Sequence, residues 1–172
     1  MRIALEPPDR PEVVRLIDEL DAYQKPLYPA ESHHGIDITA LRQPNVLFAV
    51  VRSAEGAAIG CGAVVLGADY GEIKRMFVRP HYRGQGISKA LLAFLEAEAI
   101  AKSCTLLMLE TGVSQPEALS LYDRAGYRRR GPFGNYAEDP LSVFMYKRVG
   151  LAGVCGKPAA REAAPKLEGE QP

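Results

Sequence analysis

Residues 72–88 read EIKRMFVRPHYRGQGIS and run without a break into KALLAFLEAEAIAKS over 89–103. The spacing predicts a strand over 72–78, a turn after Pro80 that holds Arg83, Gly84 and Gly86, and an amphipathic helix directly behind it. The first turn of a helix has backbone N–H groups without intrahelical partners, and the aligned peptide dipoles add partial positive charge there. Such a turn is a seat for phosphate or pyrophosphate. Gly84 and Gly86 lack a Cβ, so a ligand can approach the main chain closely and a positive φ is open to both.

The glycine pattern excludes two familiar phosphate sites. A dinucleotide fingerprint has its glycines immediately behind the strand, whereas Arg79 to Arg83 intervene here. A P-loop needs a Gly-Lys-Ser/Thr ending, which is absent. Residues 83–88 instead spell R-x-x-G-x-S, which resembles motif A (Q/R-x-x-G-x-G/A) of the GNAT superfamily of acyl-CoA-dependent N-acyltransferases. Val78, Pro80, Leu91 and Leu92 match the family's strand, turn and helix, and Ser88 stands where Gly or Ala is usual.

Residues 115–127, QPEALSLYDRAGY, form a second segment of the same kind. Ala118, Leu121 and Tyr122 recur at helical spacing, and Gly126 supplies a C-terminal stop. The segment resembles motif B, N-x-x-A-x-x-L-Y-x-x-x-G-F/Y, with Gln115 replacing the frequent Asn. The resemblance spans about residues 2–149. It implies the GNAT fold, an α/β (α+β) architecture with a mixed, mostly antiparallel sheet of about six to seven strands flanked by about four helices.

It also implies acetyl-CoA as co-substrate and direct transfer of the acetyl group to an amine of a small molecule or peptide in a ternary complex. A non-catalytic acyl-CoA-binding or sensing module with the same fold is the alternative. By this resemblance the strand backbone at Met76, Phe77 and Val78 faces the pantetheine, and residues Arg83, Gly84, Gln85, Gly86, Ile87, Ser88 and Lys89 hold the pyrophosphate. Gln115 and Tyr122 also fall in the cofactor site.

The chemistry poses two proton problems. An ammonium with a pKa of about 10 must lose a proton to attack, and a thiolate leaving group, of a thiol with pKa about 8.5, gains by regaining one. Tyr122 matches the family's acid beside the CoA sulfur. Glu72, on the central strand, and Glu110, at the end of the next, each match a base used by some members, with Glu72 placed first. No metal is called for.

The 172 residues suit one domain. A composition of 47% hydrophobic and 24% charged residues can bury a core, and 21 basic against 21 acidic side chains give no basic excess of the kind nucleic-acid binders show. The run Arg128 to Arg130 reads as a solvated edge. Three widely spaced cysteines without C-x-x-C indicate neither a disulfide framework nor a zinc site, which suits the cytoplasm. The longest apolar stretch, 57–68, is glycine-interrupted and shorter than a membrane span. No membrane partner is expected, and the chain is expected as a monomer or homodimer.

In chain order, 2–6 reads as a strand and 11–24 as a helix with Asp9 as a candidate cap. Residues 25–35, KPLYPAESHHG, form a proline-broken loop whose Tyr28, Glu31 and His33 are candidate substrate contacts. A short helix is expected over 37–42, paired strands over 45–52 and 57–68, and a strand over 105–110. A loop over 131–139 carries Phe133 and Tyr136, also candidate substrate contacts, and a strand over 141–148 closes the fold. The domain is expected over 1–149. Residues 150–172, poor in large apolar side chains, read as a flexible tail.

Overall fold

The computed structural model describes residues 1–29, 32 and 35–150. The expected tail, apart from Gly150, lies outside the described residues, as do Glu31 and His33.

Strand β1 (Arg2–Leu5) leads to helix α1 (Pro11–Gln24), whose first position is the proline that tolerates no N–H donor demand. Arg10 occupies the N-cap without a side-chain cap, and Asp9 instead pairs with Arg42 at 3.1 Å, so the expected Asp9 cap does not form. Helix α2 (Ile38–Leu41) is capped by Asp37, which accepts the Ala40 N–H at 2.8 Å. Strands β2 (Val46–Arg52), β3 (Ala58–Leu66) and β4 (Gly71–Val78) follow as an antiparallel run. A single 3₁₀ turn (Pro80–Tyr82) separates β4 from α3 (Ile87–Ala101). Then come β5 (Leu106–Gly112), α4 (Pro116–Arg124), β6 (Arg128–Arg130) and β7 (Ser142–Arg148).

One seven-stranded sheet runs in the order β1-β2-β3-β4-β5-β7-β6, with β4 and β5 parallel and every other pair antiparallel. The parallel pair requires a crossover, which α3 provides. Strand β2 is apolar at consecutive positions because both faces of the sheet are covered. Leu47, Ala49 and Val51 face the cluster of Leu91, Leu92 and Leu95 from α3, while Phe48 and Val50 face Val13, Leu16, Ile17 and Leu20 from α1. Leu91 and Leu95 are fully buried, and truncating either to Ala costs about 2–5 kcal/mol. A third cluster, Met108, Phe133 and Phe144, covers the far end of the sheet.

Strand β6 was not expected. Its three arginines are all exposed on the sheet edge, and only the pairing of Arg128, Arg129 and Arg130 with Tyr146, Met145 and Phe144 makes it a strand.

Two irregularities mark β4. Cys61 pairs with Phe77 but Ala63 pairs with Lys74, so β4 carries one residue more than β3 across this step. Arg75 sits in this bulge with a φ of 58°. The pairing of β4 with β5 also stops at Ile73, opposite Leu109, so the two parallel strands splay apart beyond it.

Candidate active site

A cavity of about 890 Å³ fills the splay. Residues Ile73 to Val78 of β4 form one wall, and Glu110, Thr111 and Gly112 of β5 form the facing one. The N–H of Arg79 donates to Ile59 O on the β3 side at 2.9 Å. Successive N–H groups along a strand point to opposite edges, so those of Met76 and Val78 lie on the open, β5-facing edge. They offer main-chain hydrogen bonds where a neighbouring strand would otherwise sit.

The near end of the cavity is the turn before α3. Gly84 and Gly86 both have a φ of 76°, and a Cβ on either would meet nothing within 4 Å. Gly86 is the N-cap of α3 and bears no side chain, so no cap of its own satisfies the first-turn N–H groups of Ile87, Ser88 and Lys89. No acidic side chain occupies that first turn either. Gly84 and Ser88 line the cavity, Gln85 and Lys89 are exposed, and Ile87 turns into the core. Arg83 also lines it. Its Nε donates to Val78 O at 3.0 Å, and its guanidinium lies over the rings of Tyr23 at 4.9 Å and Phe77 at 5.9 Å. This cation is thereby fixed beside the glycine turn.

Tyr122, Ala118, Leu121 and Gln115 reach the cavity from α4 and the turn before it. Tyr122 packs edge-on against Tyr127, with ring centroids 5.6 Å apart. Burial, and secondarily the charge of Glu110, pushes its phenol well above the ordinary tyrosine value. It therefore stays protonated across the neutral range, where it has a proton to donate.

The two glutamates read from the sequence have different surroundings. Glu110 lines the cavity, and its Oε1 accepts the Ser142 hydroxyl at 2.7 Å. Glu72 is ion-paired with Lys74 at 2.8 Å and accepts the Tyr136 hydroxyl at 2.5 Å, and it does not line the cavity. Tyr136 and Phe133 share the aromatic cluster with Tyr70 and Phe144 on that side of the sheet and do not line the cavity, which this cluster meets through Lys74, whose Nζ donates to the Tyr136 hydroxyl at 2.6 Å. Burial and then the Glu72 hydrogen bond push the Tyr136 phenol up. The structure thus gathers Glu72, Lys74, Phe133 and Tyr136 into one cluster and Glu110, Tyr122 and Tyr28 into another.

Tyr28 enters from the α1–α2 connection. Its hydroxyl accepts the Ser114 N–H at 3.1 Å, and burial raises its pKa. Lys74, Gly112 and Ser142 were missed in the sequence. Lys74 is two positions from Glu72 and so on the same face of β4, which was the one signal available. No group of three or more potential metal-ligating side chains occurs among the described residues.

A mixed sheet that splays between two parallel strands, beside an uncapped helix start, defines an acyl-CoA-dependent acyltransferase fold. The family model described as Acetyltransferase (GNAT) family matches residues 13–127, and the chain belongs to that family. It is 48% identical over 147 residues to the IAA acetyltransferase of Azospirillum brasilense, covering 84% of this chain and 95% of that one. The uncharacterized N-acetyltransferase YsnE of Bacillus subtilis is 35% identical over 141 residues, covering 80% and 93%. A crystal structure of a Klebsiella pneumoniae protein, described as an acyl-CoA N-acyltransferase, superposes with a TM-score of 0.74 at 40% identity, covering 86% and 97%.

Proposed function

We propose that this acetyltransferase moves an acetyl group from acetyl-CoA directly to an amine, with Glu110 as the base and Tyr122 as the acid. The observation that carries this reading is the cavity itself. One end is the uncapped start of α3 with two open glycines, and the other brings Glu110 and Tyr122 to the same space.

The N–H groups at the start of α3 suit a pyrophosphate, with Arg83 held nearby as a countercharge. The open-edge N–H groups of Met76 and Val78 suit amide carbonyls of an extended pantetheine arm. Acetyl-CoA supplies the activated thioester. At the far end the protein must take a proton from the incoming ammonium and return one to the departing thiolate, each step worth about a hundred- to ten-thousand-fold. Glu110 is a carboxylate oriented by Ser142. Tyr122 is a phenol that burial keeps protonated. Glu72 is committed to Lys74 and Tyr136, which supports Glu110 over it as the base. Among the described residues no helix is long and apolar enough to cross a membrane. The free thiols of Cys61 and Cys104 fit a cytoplasmic setting.

The test is CoA release from acetyl-CoA across an amine panel, with calorimetric acetyl-CoA binding on the same samples. Amine-dependent release that falls in Tyr122→Phe and Glu110→Gln, with binding retained, is the expected result. Tight binding with no turnover of any amine contradicts the enzyme reading, and absence of binding contradicts the site.

A further inference from the structure

Arg75 stands where glycine would be the default. Its φ of 58° is in the left-handed region, which costs a non-glycine residue about 1–2 kcal/mol. Its side chain makes contacts that a glycine could not. Its guanidinium is nearly buried, with the side chain 8% exposed, and it pairs with the carboxylate of Asp21 on α1. Its Nε donates to the carbonyl of Ile36 at 2.9 Å, and a second nitrogen donates to the same oxygen. The bare backbone of Gly35 makes room for the fork, since a Cβ there would stand 2.9 Å from a terminal nitrogen. On the other side, the Cys61 thiol donates to the Arg75 carbonyl at 3.5 Å.

The next residue along β4 is Met76, whose N–H lies on the open edge of the cavity. The segment that the guanidinium grips belongs to the α1–α2 connection, which contributes Lys25, Tyr28, Ser32 and Gly35 to the cavity wall. We propose that Arg75 is a positioning residue for the transfer reaction: one side chain fastens the acceptor-side connection to the bulge that presents the Met76 N–H. Its guanidinium is taken up by Asp21 and the Ile36 carbonyl, so it acts through the connection it holds. It sets the distance between the wall that receives the amine and the edge that holds the thioester arm.

This inference rests on the acetyl-transfer reading, and its test separates the two. Arg75→Ala, Arg75→Lys and Arg75→Gly are compared with the wild-type chain over residues 1–172. Amide hydrogen exchange over residues 35–41 is measured with acetyl-CoA present, alongside calorimetric acetyl-CoA affinity and the KM for whichever panel amine the wild type acetylates. Glycine keeps the left-handed backbone without the fork, and lysine keeps the charge without bidentate geometry.

All three variants are expected to exchange faster over 35–41 and to raise the amine KM about tenfold, the scale of one lost charge-assisted hydrogen bond, with acetyl-CoA affinity little changed. Wild-type behaviour of Arg75→Gly in both readouts overturns the proposal, because backbone shape alone would then suffice. Unchanged exchange and KM in Arg75→Ala overturn it too, as does a parallel loss of acetyl-CoA affinity and melting temperature in all three. If the wild type turns over no amine, the transfer reading fails by itself, and the exchange comparison still decides whether Arg75 holds the connection.

Discussion

Tyr28 and Gly112 contend for one position: a Cβ built on Gly112 would stand 1.9 Å from the Tyr28 hydroxyl. The glycine at the end of β5 is therefore the seat of a phenol that arrives from the α1–α2 connection, and that phenol is held there by the Ser114 N–H. Gly112→Ala is expected to expel Tyr28, with a stability loss of about 1–3 kcal/mol from overpacking and a raised amine KM. Thermal melts and steady-state kinetics check this. The double variant Gly112→Ala with Tyr28→Ala should recover most of the stability lost by Gly112→Ala alone, because the two effects share one contact. Additive losses would show that the contact is not the cause.

The glycine turn makes a second prediction. Gly84 and Gly86 share a φ of 76° and have open space around them. Gly86→Ala adds strain of about 1–2 kcal/mol and places a methyl group at the helix start where the anion is proposed to sit. Calorimetry should show acetyl-CoA affinity falling at least about tenfold, since the main-chain N–H groups lose their close approach. Gln85→Ala, at an exposed position between them, should bind nearly as the wild type does. Equal weakening by both would contradict a main-chain seat.

Tyr122 links activity to alkaline stability. Tyr122→Phe removes the proposed proton donor and keeps the ring, so kcat should fall about a hundredfold with acetyl-CoA affinity preserved. The folded pKa of this phenol is raised above its ordinary value of 10.0 by burial first and Glu110 second. Its contribution to stability is therefore fully present below pH 10 and is lost as pH rises beyond it. Denaturant titrations above pH 10 should show Tyr122→Phe losing stability less steeply than the wild type.

At the other end of the pH scale, Glu6 is the group to watch. The hydrogen bond from Arg52, opposed by burial and aided by the charges of Arg52 and Arg10, holds its carboxyl below the usual value of 4.5. Its Oε2 lies 2.7 Å from an Arg52 nitrogen, which also reaches Glu12 at 3.0 Å. A depressed carboxyl stabilises above the unfolded pKa, so this contribution fades as pH drops below about 4.5. Glu6→Gln should flatten the acid limb of a stability profile, and an unaltered limb would assign acid unfolding to other groups.

The glycine turn and the helix behind it were legible because their signals are local. Gly84, Gly86, Leu91 and Leu95 act through spacing within one segment, and the structure places them in a helix start and a buried stripe. Tyr122 was legible in the same way, from helical spacing and the Gly126 stop. Arg128 to Arg130 were not, because an exposed edge strand has no apolar period and exists only through its partner β7. Nor was the bulge at Arg75, since nothing local marks an arginine for a left-handed φ, and the partners that hold it come from α1 and residue 36. Which of Glu72 and Glu110 lines the cavity was not legible either, because it depends on β4 and β5 parting after Ile73, a property of strand register between segments distant in the chain.

In the proposed complex the splay between β4 and β5 holds the thioester with its leaving sulfur at Tyr122. A crystal structure of the chain with CoA tests it most directly. The pyrophosphate should rest on the N–H groups of residues 84–89, the pantetheine amides should pair with Met76 and Val78, and the sulfur should lie within about 3.5–4 Å of the Tyr122 hydroxyl. CoA bound outside the cavity, or bound within it with the sulfur far from Tyr122 and Glu110, would contradict the claim.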